Sequence, residues 1–299
     1  MTNRNFGLDL LRSCAIIFVL IAHSATFMSN HWSRFILDVT GFFGLIGVEI
    51  FFALSGFLVG GIIIKTGNGF SSITKVRQFL LMRWFRTLPN YYFYTAIHLI
   101  AIYNLQDISI GIKDNIYHII FSQSLLWIHP GFFSEAWSLA IEEWYYLLTP
   151  IFIYFLHKLK IKSPLITIMA LMLIAPLLLR LYFAINTENN FTFDFYRKAS
   201  LLRLDAIVFG MFVYLIHDRK KELLKKYKAT SFSIGLLLLF IAFCYQFFSG
   251  TNMATGFYFK TLFLSILPLG GAMMIPFLYH LKCDIFYINQ SVKYIALIS

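Results

Sequence analysis

The chain has 299 residues, 59% of them hydrophobic and 19% aromatic, while Asp, Glu, Lys and Arg together reach only 13%, about half the share of an ordinary soluble domain. At a mean hydropathy of +0.72 there is too little polar surface to coat a globule of this size, which excludes a soluble single domain, a disordered chain and a collagen-like repeat. The surplus of 25 Lys and Arg over 14 Asp and Glu is what orientation in a bilayer produces, because basic residues collect in cytoplasmic loops, so no nucleic-acid partner is expected.

In chain order, apolar runs fall at roughly 8–28, 42–64, 79–104, 137–157, 164–185, 203–218, 231–248 and 259–281. Each is long enough to cross a bilayer as a helix, so the fold class is an all-α polytopic membrane bundle of about eight complete transmembrane helices. The first run holds Asp9 and Arg12 and lacks a small-residue cleavage site, so it is a span and not a cleavable signal. Lys65, Lys75, Arg77, Arg83 and Arg86 form one stretch without acidic residues, and Arg219 to Lys228 carries six basic residues; both are expected in the cytoplasm. Lys158, Lys160 and Lys162 join them only if the short run 117–128 dips in and returns on one side, so that segment is predicted to be re-entrant. The N-terminus is then cytoplasmic, as is the loop carrying Lys282, and VKYIALIS at 292–299 opens a ninth helix. Cys14, Cys244 and Cys283 are far apart in apolar runs, so neither a disulfide nor a metal site is expected.

A charge at membrane depth costs at least about 2–3 kcal/mol, so ionisable residues inside the spans point to chemistry. Arg12 and His23 are eleven residues apart on span one, which puts them on one helix face about 16 Å apart along the axis, Arg12 towards the cytoplasm. Arg83 and Arg86 share a face at the inner mouth of span three, where they serve as positive-inside anchors or as a phosphate clamp. Glu142 and Glu143 lie in WSLAIEEWYYLLTP, from Trp137 to Pro150. Adjacent carboxylates point about 100° apart, so at most one faces a given cavity and the other needs a partner. Ser138, four residues before Glu142, shares its face and is placed to orient it. Arg203 and Asp205 open span six, either as a local pair or as a binding group for a polar acceptor. Counted from the outer ends of their spans, His23, Glu49, Glu142 and Glu143 fall near one level while the arginines cluster at the opposite mouth. A donor with phosphates at one end and a reactive group some 16 Å away, such as a coenzyme A thioester, matches that separation.

These residues resemble the acyltransferase-3 family, bacterial integral-membrane O-acyltransferases that modify cell-envelope glycans and some secreted small molecules. The resemblance rests on Arg12 followed by His23, on GVEIFFALSGF at 47–57 with Glu49 and Ser55, on Arg83 with Arg86 and Pro89, on the Trp137–Pro150 motif, and on Arg203-Leu204-Asp205. It implies that residues 1–299 form one membrane acyltransferase domain in the bacterial plasma (inner) membrane, and that the family's further C-terminal helices lie beyond Ser299. It also implies that His23 is catalytic with Glu142 and Glu143, that Arg12, Arg83 and Arg86 hold acyl-CoA, and that Glu49, Ser55, Trp137, Ser138, Arg203 and Asp205 support the acceptor. The donor expected is acetyl-CoA, with no permanently bound cofactor and no metal, and the acceptor a hydroxyl of a glycan or lipid-linked saccharide. A neutral imidazole can take the hydroxyl proton as it attacks the thioester, or form an acyl-histidine. Read without the resemblance, the same buried ionisable groups also fit a proton-coupled secondary transporter, and a chain lacking its last helices also fits an inactive membrane homologue.

Overall fold

The computed structural model describes residues 5–28, 30–66, 70–105, 117–127, 133–186, 191–248, 255–283 and 285–298, and every regular element among them is a helix. Ile128 and Ser299, which belong to the expected re-entrant run and ninth helix, lie outside the described residues. Each predicted span is present as a helix: α1 (Phe6–Phe27), α2 (Arg34–Thr66), α3 (Ile73–Leu105), α4 (Trp137–Lys158), α5 (Pro164–Asn186), α6 (Leu204–Arg219), α7 (Lys228–Phe248) and α8 (Phe263–Tyr279). A shorter α9 (Phe286–Ile298) follows. Five of them, α1, α2, α4 with the 3-10 turn before it, α5 and α7, are long and apolar enough to cross a membrane by length and composition.

Helix ends are set by polar groups that the apolar runs do not report. The side-chain oxygen of Asn5 accepts the Leu8 amide at 3.1 Å and starts α1. Helix α2 begins eight residues ahead of its apolar run, because Ser33 Oγ accepts the Ile36 amide at 3.4 Å and Arg34 pairs with Asp38 at 3.5 Å one turn on. Helix α3 begins at Ile73, not at 79, with Lys75 and Arg77 in its first turns.

The chain forms two compact units. One comprises residues 1–62 and 206–299, in which α7 packs along α8 and α1 along α8 and α9. Glycines permit the tightest crossings. A Cβ on Gly56 of α2 would meet the Ile207 carbonyl of α6, and one on Gly210 would meet the Ala53 carbonyl in return. Phe42 packs edge-on to Phe243 at 5.3 Å, and Ser13 Oγ donates to the Val292 carbonyl at 2.9 Å, tying α9 to α1.

The other unit comprises residues 63–205. Here α3, α4 and the 3-10 turn Ser200–Leu202 hold non-helical backbone. Residues 117–127 make one helical turn and then a loop in which Phe121 has φ 56° and Phe121 to Ser124 are buried. The chain turns within this segment. Its carbonyls are satisfied by protein: Tyr91 Oη donates to His118 O at 2.8 Å, Trp144 Nε1 to Phe121 O at 2.9 Å, and the Ser200 amide to Ser124 O at 2.7 Å. Irregular backbone survives at membrane depth only under such cover.

Candidate active site

The acidic pair of α4 sits against the middle of α3. Thr87 Oγ1 donates to Glu143 Oε1 at 2.8 Å, and the Arg83 guanidinium lies 5.6 Å from the centre of the Tyr146 ring. Tyr146, in turn, donates its hydroxyl to Glu142 Oε2 at 2.9 Å. Thr87 opposite Glu143 and Arg83 opposite Tyr146 define an antiparallel register, and Arg83 interacts electrostatically with both carboxylates.

This geometry corrects the separation expected from residue counting. Arg83, expected at the cytoplasmic mouth opposite the carboxylates, stands beside them. The cause is that α3 starts six residues earlier than its apolar run, so Arg83 is ten residues, about 15 Å, inside the helix. A position counted from the edge of an apolar run is not a depth when the run's polar flank is helical too.

The pair divides as adjacent helical positions require. Glu143 is 4% exposed and lines a pocket of about 280 Å³ with Trp84, Leu88, Tyr92, Phe121, Trp144 and Leu147. Glu142 is half-buried and held by Tyr146. Ser138 does not hold it through the bond expected: its hydroxyl donates back to the Glu135 carbonyl at 3.4 Å, and the residue one turn after Glu142, not one turn before, supplies the partner. Trp137 stacks under the Arg197 guanidinium at 5.0 Å, and Arg197 pairs with Asp194 at 2.9 Å.

Asp205 pairs with Arg180 of α5. Arg180 donates to both Asp205 carboxylate oxygens, at 3.1 and 2.7 Å, and to the Leu202 carbonyl at 2.7 Å, with both side chains fully buried. Arg203 is itself fully buried and ends the 3-10 turn Ser200–Leu202. Sequence reasoning missed Arg180, although a single charge in the middle of an apolar span was the signal to follow. It also passed over Thr87 and Tyr146, whose hydroxyls carry no such mark.

The remaining candidates belong to the other unit. Arg12 is half-buried and His23 exposed on α1; Glu49 is fully buried and Ser55 half-buried on α2. Arg86, three residues after Arg83, is exposed. Among the described residues no cluster of His, Cys, Asp or Glu could hold a metal ion.

The family model of an acyltransferase domain, acyltransferase-3, matches residues 5–299. The chain belongs to the acyltransferase-3 family. The O-acetyltransferase OatA of Staphylococcus aureus is 27% identical to it over 244 residues, 77% of this chain and 38% of that protein. The peptidoglycan O-acetyltransferase OatA of Listeria monocytogenes is 29% identical over 173 residues, 53% of this chain and 25% of that protein. This acyltransferase-3 chain therefore matches well under half the length of these relatives. No solved structure matches it.

Proposed function

We propose that the protein transfers an acetyl group from acyl-CoA, entering from the cytoplasm, to a hydroxyl of a cell-envelope glycan or lipid-linked saccharide in the bacterial plasma membrane. The observation that carries this reading is the cluster of Arg83, Thr87, Glu142, Glu143 and Tyr146 between two long antiparallel helices, α3 and α4. Two carboxylates and a guanidinium there cost several kcal/mol to bury, and a packing role needs none of them. The family and its O-acetyltransferase relatives support the chemistry.

In this reading His23 is the catalytic base, taking the proton of the acceptor hydroxyl as it attacks the thioester carbon; the C–O bond forms, the C–S bond breaks and the thiolate of coenzyme A leaves. Arg12, Arg83 and Arg86 serve the donor, whose phosphates a guanidinium suits. Glu142 and Glu143 hold and orient the acceptor, with Glu49, Ser55, Trp137, Ser138, Arg203 and Asp205 in support.

The test is acetyl transfer by the purified full chain in detergent, supplied with acetyl-CoA and a saccharide. His23→Ala is expected to lower the rate at least about 100-fold, the contribution of a positioned base, with the Kd for coenzyme A unchanged. An unaltered rate would remove His23 from the mechanism.

A further inference from the structure

The pocket beside Glu143 offers ligands only one kind of polar contact. The Tyr92 hydroxyl is donated to the Ile119 carbonyl at 2.7 Å, the Trp144 N–H to the Phe121 carbonyl at 2.9 Å, the Thr87 hydroxyl to Glu143 Oε1, and the Trp84 N–H is engaged by the Glu143 carboxylate. Glu143 Oε2 is buried without a hydrogen-bond partner. What remains is aromatic and aliphatic wall from Trp84, Tyr92, Phe121, Trp144, Leu88 and Leu147 around one acceptor oxygen.

A cavity that presents an acceptor and no donor repels phosphates and carboxylates, so the phosphate end of acyl-CoA does not belong in it. Its occupant must bring a donor. Arg83 stands close enough to act on both carboxylates and offsets one of their two negative charges, so a neutral hydroxyl suffices as the donor. Aromatic walls suit a flat apolar face, and about 280 Å³ sits at the bottom of the range for small-molecule sites, which fits one ring and not an extended chain.

We infer that this pocket is the acceptor subsite: it takes a single hydroxylated sugar ring, one face against Trp84, Tyr92 and Trp144, with one ring hydroxyl donated to Glu143 Oε2. The inference rests on the acetyl-transfer reading above and deepens it by separating the two carboxylates. Glu143 touches the acceptor; Glu142, bound by Tyr146, is a positioning residue.

The experiment fills the pocket without touching its polar groups. Leu147→Trp and, separately, Leu88→Phe are made in the full chain, and acetyl transfer from acetyl-CoA to an N-acetylglucosamine trisaccharide is measured alongside coenzyme A binding. Each variant is expected to raise the KM for the saccharide at least tenfold while the KM for acetyl-CoA and the Kd for coenzyme A stay within twofold. The unmodified protein is expected to show tryptophan fluorescence quenching by the trisaccharide, lost in both variants. A saccharide KM unchanged by filling overturns the pocket assignment and leaves acetyl transfer standing. A change confined to the KM for acetyl-CoA overturns it too, because the cavity then houses the donor's acyl end. If the unmodified protein binds coenzyme A yet acetylates no saccharide, the functional reading fails and the subsite with it.

Discussion

Arg180 and Asp205 form a fully buried pair in which the guanidinium also carries the Leu202 carbonyl, so neither can be removed alone without stranding a charge. Breaking such a pair from one side typically costs about 3–5 kcal/mol, whereas replacing both partners with apolar residues of similar size is often near neutral. Arg180→Met and Asp205→Leu singly are expected to lower the midpoint of thermal unfolding in detergent sharply, and the double replacement to recover most of that loss. Asp205→Asn that leaves the midpoint in place but abolishes transfer would show Asp205 to be a binding group. Asp194 is a contrasting case at the loop between α5 and α6. Burial alone would raise its pKa, but Arg197 and Lys198 outweigh it and hold the carboxyl below its ordinary 3.8. A lowered folded value means the pair's stabilisation is complete above pH 3.8 and disappears as pH falls through the folded value. With 57% of the Asp194 side chain exposed, it contributes less than about 1 kcal/mol. Asp194→Asn should therefore shift the unfolding midpoint only slightly at pH 7 and not at all once the carboxyl of the parent is protonated.

Between elements, backbone approach matters more than side-chain volume. The crossing of α2 and α6 lets the Gly56 position meet the Ile207 carbonyl and the Gly210 position meet the Ala53 carbonyl, the small-residue contact on which helix association in lipid depends. Gly56→Val and Gly210→Val each force a Cβ into opposing main chain and should prevent stable extraction of the folded protein, read as loss of the monodisperse peak in detergent. Gly41, whose Cβ would meet nothing within 4 Å, should accept alanine without change. The helices themselves were legible from apolar runs, since each of the eight predicted spans is present as a helix. What the runs concealed was register. The extra turns at the start of α2 and α3 come from polar residues such as Arg34, Asp38, Lys75 and Arg77, which hydropathy counts as loop although hydrogen bonds and ion pairs keep them helical. Arg83 beside Glu142, and Arg180 on Asp205, depend on three-dimensional register between separate helices, which no single-helix periodicity contains.

At the scale of the whole molecule, the proposed chemistry requires a definite orientation in the membrane, for which the distribution of charge is the sequence's argument. The short helix Lys221–Lys226 between α6 and α7 has no buried residue and carries basic side chains along its length. A segment so exposed and so basic resists translocation, at about 1 kcal/mol per residue of attraction to an anionic inner leaflet. If α1 runs from a cytoplasmic N-terminus, as proposed, the turn after Phe27 faces outward and His23, four residues before the end of α1, lies towards the outside, with Arg12 about 16 Å nearer the cytoplasm. That polarity matches a donor made in the cytoplasm and an acceptor in the envelope, and it is open to direct test. In a protein whose Cys14, Cys244 and Cys283 are replaced by Ala, a single cysteine at His31 should react with a membrane-impermeant maleimide applied to intact cells. One at Lys225 should react only after the membrane is opened. Labelling of Lys225→Cys from outside with protection of His31→Cys would invert the molecule, put Arg12 on the wrong side for cytoplasmic acyl-CoA, and require the donor to arrive from the envelope.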